Sequence, residues 1–260
     1  MRSLPWLIAH RGAMAEAPEN VEAAFDLAFS YNIDGIEFDV QMTADGVPVI
    51  FHDETLRRIT GGKKTIADSR IAELSKFDFG KWYSDDFCGQ RLMTLETLLM
   101  RYSGRGILMI ELKSGAGGQN PEKYRDRLCT EVVGLIDKHV GRHLLDEIFV
   151  LSFDAEMILK TRQSAPYLNY ILNLKKAVIP GEKDIVGYKD LWGCCLARRR
   201  LTFDFAGQCR EKGLHTAVYS CNTPAQVSGA LELGVDVVMT DDPGRVAGPS
   251  GKGNVLSCEK

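Results

Sequence analysis

Short apolar runs and stretches of helical period alternate about eight times along this chain, and no other feature narrows the folds open to it as far. The runs are Pro5–Gly12, Gly35–Val40, Gly106–Lys113, Ile148–Phe153, Tyr170–Leu172, Gly193–Ala197, His215–Ser220 and Val235–Asp241. Between them the spacing predicts helices. Val21–Phe29 places apolar residues at 21, 24, 25, 28 and 29 on one face, and Thr94–Met100 has Thr94 as its N-cap. Others follow at Pro121 to about His139, Ala155–Ser164, weakly near Lys183–Tyr188, Phe203–Lys212 and Pro224–Leu233. Gly213 and Gly234 stand where the last two should stop. Apolar strands separated by helices make a parallel sheet with helices outside it. Eight units favour closure into an α/β TIM (β/α)8 barrel over an open doubly wound sheet, and 260 residues is close to the usual size of one. No Gly-x-Gly-x-x-Gly follows an early strand, which counts against a dinucleotide site.

Two stretches interrupt the rhythm. Val47–His52 is extended again, directly after the second strand. From Glu54 to Met93 the chain carries Gly61-Gly62, Asp78-Phe79-Gly80 and Asp85-Asp86, with one short helical pattern near Ile66–Leu74. A segment of that length between elements is functional or a small insertion. We therefore expect one catalytic domain over residues 1–248, with an insertion after strand two at about 53–93. The glycine-rich polar stretch 249–260 reads as a flexible tail.

The polar residues gather where strands end. His10 and Arg11 close the first run, Glu111 and Lys113 the third, and Ser152, Asn222 and Asp241 hold similar places later. In the second, Ile36, Phe38 and Val40 alternate with Glu37 and Asp39, so both carboxylates point to one side. Such a strand can also be a solvated sheet edge. The next apolar run argues otherwise by delivering His52 and Asp53. In a barrel these ends form the face where chemistry is placed. Three carboxylates there repel one another unless a cation compensates, and oxygen ligands suit Mg²⁺ or Ca²⁺ better than Zn²⁺. Two histidines beside oxygen ligands are better used as proton donor and acceptor. Arg11 and Lys113 add positive charge, which points to an anionic substrate, phosphate first.

The net charge of −3 and the lack of a basic block beyond Arg198-Arg199-Arg200 speak against nucleic acid as a partner. No apolar run is long enough to span a bilayer, and Met1–Leu7 has no h-region of a signal peptide, so we expect a cytoplasmic protein without stable membrane insertion. Seven scattered cysteines, with no Cys-x-x-Cys, fit reduced and mostly buried thiols. A homo-oligomer stays open.

In order along the chain, His10-Arg11-Gly12, Pro18-Glu19-Asn20, Glu37-Phe38-Asp39-Val40, His52-Asp53, Ile110-Glu111-Leu112-Lys113, Ser152-Phe153 and Thr240-Asp241-Asp242-Pro243 resemble the motifs of the glycerophosphodiester phosphodiesterase family. The ordered set is specific where each motif alone is weak. The resemblance implies a TIM barrel with an insertion after strand two. It also implies hydrolysis of small-molecule glycerophosphodiesters to sn-glycerol 3-phosphate and an alcohol, with a divalent cation. It assigns Glu37, Asp39 and Glu111 to the metal, His10 and His52 to acid–base catalysis, and Arg11 and Lys113 to the phosphate oxygens. It leaves open which histidine is the acid, and whether the neighbouring glycerol hydroxyl attacks phosphorus before water does. Two positions depart from the family pattern: Val21 replaces a threonine at a helix start, and Tyr219-Ser220-Cys221-Asn222 replaces Trp-Thr-Val-Asn.

Several plainer readings compete. Glu111 and Lys113 can pair with each other, Asp241 and Asp242 can begin a turn before Pro243, and Arg198–Arg200 can be a solvated face. His139, His143 and His215 read as surface or helix-end residues. Phe79, Trp82, Tyr83 and Phe87 can line a lid or pack the insertion. Two functions compete with the first: a lysophospholipase D-type phosphodiesterase on lipid substrates, and a silent barrel that binds phosphodiesters.

Overall fold

In the computed structural model, residues 3–115, 120–181 and 184–248 are described. The strands are β1 (Trp6–His10), β2 (Gly35–Met42), β3 (Pro48–Ile50), β4 (Ile107–Leu112), β5 (Ile148–Ser152), β6 (Asn169–Leu174), β7 (Gly193–Ala197), β8 (His215–Tyr219) and β9 (Val237–Thr240). β1 pairs in parallel with β2 on one side and β9 on the other, which closes eight parallel strands into a barrel. β3 lies outside that ring, antiparallel to the second half of β2, with Val40 opposite Ile50 and Met42 opposite Pro48.

The helices between the strands are α1 (Glu22–Ala28), α4 (Leu95–Tyr102), α5 (Pro121–His139), α6 (Ala155–Ser164), α7 (Phe203–Glu211) and α8 (Pro224–Glu232). α2 (Arg57–Thr60) and α3 (Ile71–Leu74) belong to the insertion, and α9 (Pro243–Ala247) follows the last strand. Thr94 caps α4 by accepting from the Thr97 N–H at 3.1 Å, as its position predicts. Val21 precedes α1 with no side-chain cap; instead it is buried against the insertion. The weak helix expected near Lys183–Tyr188 is not seen. Lys183 lies outside the described residues, 184–187 are irregular, and a 3₁₀ turn covers Tyr188–Asp190. The expected tail, 249–260, also lies outside them.

Strand alternation sorts the core into two layers. Trp6, Ile8, Met109, Phe149, Ile171 and Val237 point inward and fill the barrel. Residues of opposite parity, such as Phe38, Leu108 and Val150, face the helices and meet Phe25, Leu98 and Leu128. A third cluster holds the insertion to the β3 edge: Leu56, Ile66, Leu74 and Phe79 pack on Val49 and Phe51. Phe51 and Phe79 meet edge to face at 6.1 Å. No helix among the described residues is long and apolar enough to cross a membrane. The six described cysteines are free, and all but Cys88 are buried.

Candidate active site

The inward parity that packs the barrel floor continues upward into polar side chains at its C-terminal mouth. His10 follows Trp6 and Ile8, Glu111 and Lys113 follow Ile107 and Met109, and Asn173 follows Ile171. Register then joins residues far apart in order: His10 stands opposite Glu37, and Asp39 opposite Glu111. The result is a cavity of about 220 Å³ lined by His10, Arg11, Glu37, His52, Glu111, Lys113, Asn173 and Tyr219, with Leu151, Phe153, Cys195 and Met239 below and beside them. Glu37 and Asp39 lie within β2, not at its end, because pairing with β3 prolongs that strand to Met42. They are 2% and 1% exposed, so the solvated-edge reading fails.

Glu37, Asp39 and Glu111 each offer an oxygen within 4.8 Å of the others. An ion bound at about 2.0–2.5 Å spans oxygens up to roughly 4–5 Å apart, so one divalent cation is within reach of the trio. Burial, followed by the charges of Asp39 and Glu111, pushes the Glu37 carboxyl well above the usual carboxylate range. Burial alone would raise Asp39 as well, but Lys113 and Arg11 outweigh it and hold that carboxyl low. Two buried amides orient the group. Asn20 Nδ2 donates to Asp39 at 2.9 Å, and Asn173 Nδ2 to Glu111 at 2.9 Å, while the carbonyl oxygens of both amides lack a protein donor. Oxygen donors oriented by amides behind them are the chemistry that a hard cation takes.

Both candidate phosphate binders reach the carboxylates. Lys113 Nζ donates to Glu111 at 2.7 Å and to Asp39 at 3.2 Å, so the plain pairing of Glu111 with Lys113 is present alongside the wider cluster. Arg11 bridges Asp39 at 3.2 Å and Glu19 at 3.1 Å. Its backbone is left-handed, φ 57°, as is that of Asn20, φ 60°. Non-glycine residues seldom adopt that region, and here both carry side chains into the site. Gly12, φ 81°, completes the turn, where a Cβ would meet the Ala24 backbone at 2.7 Å.

Each cavity histidine has its Nδ1 held by a carboxylate. His10 Nδ1 is 2.6 Å from Asp241, which also accepts from Ser220 at 2.9 Å and Asn222 at 2.7 Å. Burial opposes charge on His10, but Asp241 and Glu37 overcome it and raise the imidazole pKa. The turn reading of Asp241 is thereby corrected; it is Asp242 that caps α9, accepting from Arg245. His52 Nδ1 is 2.8 Å from Asp53. Arg58 of α2 locks that pair from behind, with two bonds to Asp53 at 2.8 and 3.0 Å and two to Glu19 at 2.8 Å. Its guanidinium lies over Trp82 at 5.1 Å.

The sequence offered Asp53 as the group that orients its neighbour His52, but it contained Glu19 and Asn20 without revealing their partners, and Arg58 and Asn173 went unread. Asn173 left a faint signal, a polar residue two beyond Ile171 in an apolar strand. The four insertion aromatics pack and do not roof the cavity: Phe79 is buried, Trp82 supports Arg58, Tyr83 donates to the Ala15 carbonyl, and Phe87 meets Tyr83. Ser152 is a strand tie, donating to the Leu112 carbonyl at 2.8 Å. His139 and His215 lie outside the cavity, against Glu96 and Trp192.

The chain is similar to several known proteins along nearly its whole length. The putative glycerophosphodiester phosphodiesterase YhdW of Bacillus subtilis is 32% identical over 251 residues, 92% of this chain and 95% of that protein. A phosphodiesterase of Oleispira antarctica, solved with its product sn-glycerol 3-phosphate, superposes with TM-score 0.83 at 25% identity, over 92% of this chain and 94% of the other. A glycerophosphodiester phosphodiesterase of Agrobacterium tumefaciens gives TM-score 0.74 at 29% identity, over 94% and 97%. The profile of the glycerophosphoryl diester phosphodiesterase family matches residues 10–245, and the chain belongs to that family.

Proposed function

We propose that this protein hydrolyses glycerophosphodiesters to sn-glycerol 3-phosphate and an alcohol, with Glu37, Asp39 and Glu111 holding a Mg²⁺ or Ca²⁺ ion. The observation that carries the reading is the convergence of two buried carboxylates, Glu37 and Asp39, a partly buried third, Glu111, and two carboxylate-oriented histidines around one small cavity. A divalent cation there would draw charge from a phosphoryl oxygen and ease its transfer. Arg11 and Lys113 hold the other phosphate oxygens, shifting part of their bonding from Asp39, Glu19 and Glu111 to the substrate. Asp241 favours the protonated form of His10, which makes His10 the acid that protonates the leaving alcohol. His52, held through Nδ1 by Asp53, presents Nε2 as the base that takes a proton from the attacking hydroxyl.

The test is turnover of glycerophosphocholine and lysophosphatidylcholine with Mg²⁺, with Ca²⁺ and with a chelator. Release of choline only in the presence of metal supports the reading, and failure on both substrates with metal present ends it. His10→Ala and His52→Ala should each lower kcat about 10²–10⁴-fold with an unchanged circular dichroism spectrum. Near-normal turnover in either variant removes that histidine from its role.

A further inference from the structure

β7 lies diametrically across the eight-stranded ring from β2 and its insertion, and the loops on that side have a chemistry of their own. Lys175 and Lys176 follow β6, and Arg198, Arg199 and Arg200 form a 3₁₀ turn after β7. All five are exposed, and none has an ion-pair partner among the described residues. The described acids of the same connections are Asp184, Asp190 and Asp204; Asp184 accepts from the Gly181 N–H, Asp190 pairs with Arg162, and Asp204 stands in the first turn of α7, so none of them pairs with these cations. Five free cations in one sector contrast with a chain of net charge −3.

The same sector gathers exposed apolar side chains. Seven large ones are exposed among the described residues, and four belong here: Phe153 after β5 at 38%, Val178 and Ile185 between β6 and β7 at 67% and 58%, and Phe203 opening α7 at 70%. Scattered exposed apolar groups need no explanation; their coincidence with unpaired cations beside a mouth does. The sector is continuous with the cavity. Phe153 lines it, and Arg200 and Arg199 lie close enough to Tyr219, another lining residue, to oppose the rise that burial gives its phenol.

We propose that this rim is a docking surface for an anionic phospholipid bilayer, with the cations among the headgroups and Phe203 and Val178 entering the interface. A soluble polyanion would use the cations but leave the apolar groups in water, whereas a charged bilayer satisfies both. Docked this way, the mouth faces lipid. Resting on the phosphodiesterase reading of the cavity, the inference then gives the substrate class as diesters presented at a membrane, lysophospholipids among them.

Docking is measured without turnover, so the two readings can fail separately. The full chain is sedimented with vesicles of phosphatidylcholine alone or mixed with phosphatidylglycerol, at low and at physiological salt. Glycerophosphocholine turnover serves as the control for folding. The chain should pellet with the anionic vesicles and not with the neutral ones. Replacing Arg198, Arg199 and Arg200 together by Gln should weaken binding on the order of 100-fold, at about fivefold per charge. Phe203→Ser should weaken it several-fold, and both variants should retain basal turnover. Absence of pelleting with anionic vesicles at low salt overturns the proposal, as does binding that neither variant changes. A raised KM of the arginine variant for anionic soluble diesters, without vesicle binding, overturns it in favour of headgroup recognition in solution.

Discussion

The four bonds from Arg58 to Asp53 and Glu19 tie the His52 pair to the Arg11 bridge. Only a planar fork can serve two carboxylates in this way. Arg58→Lys should therefore lower kcat about 10²-fold by misplacing His52, with a smaller change in KM, and free guanidinium should partly restore Arg58→Ala. A variant with an unchanged pH–rate profile and kcat would reduce Arg58 to packing. Asp241 gives a pH signature. Burial raises its carboxyl, but the bond from His10 prevails and sets it at about 2. The native carboxylate then binds fewer protons than the unfolded chain, so its stabilisation is present above about pH 4 and is lost as pH falls through about 2. The same bond seen from His10 is present below that residue's ordinary pKa and fades as pH rises through the raised value. Urea unfolding should show the native protein exceeding Asp241→Asn by about 1–3 kcal/mol near pH 5–6, with the gap closing towards pH 2 and narrowing in alkali. The links of Arg58 to Glu19 and of Asp241 to His10 could not be read beforehand, since each joins residues whose separation in order says nothing about their distance.

Elements were more legible than their contacts. The alternation of β2 placed Glu37 and Asp39 on one side, and Thr94 marked the start of α4, because strand and helix periodicity and capping are local. The length of β2 was not legible: its last residues are strand only because β3 folds back on them. The insertion was legible as an interruption, with a helical pattern near Ile66–Leu74 where α3 lies, but α2 and the packing of the segment were not. Its helices α2 and α3 are four residues each, and they are held by burial of Leu56, Ile66, Leu74 and Phe79 on the β3 edge. Phe79→Ala should cost about 3–5 kcal/mol in urea unfolding of that cluster. Turnover should fall with it, since Arg58 and its supporting Trp82 ride on the same segment. A stability loss below about 1 kcal/mol would show that the insertion is held by its polar bonds instead.

Across the whole molecule, a cation would join β2 to β4 at the mouth and offset both the burial and the carboxylate repulsion that raise Glu37. Mg²⁺ or Ca²⁺ at about 100 times its Kd should stabilise the native protein by about 2.7 kcal/mol, and a chelator should reverse the rise in Tm. Glu37→Gln should raise Tm without metal and abolish the response to it; a lower metal-free Tm would sink the repulsion argument. The sequence by itself determined the eightfold alternation, the two faces of each strand and the donor types at the strand ends, because periodicity and side-chain chemistry are properties of neighbours in the chain. Only the tertiary structure decided that the sheet closes, that His10 stands beside Glu37 and Asp39 beside Glu111, and that Asp241 and Arg58 reach the two histidine pairs. Closure and register follow from burying the inward layer of every strand at once, and no single segment contains that information.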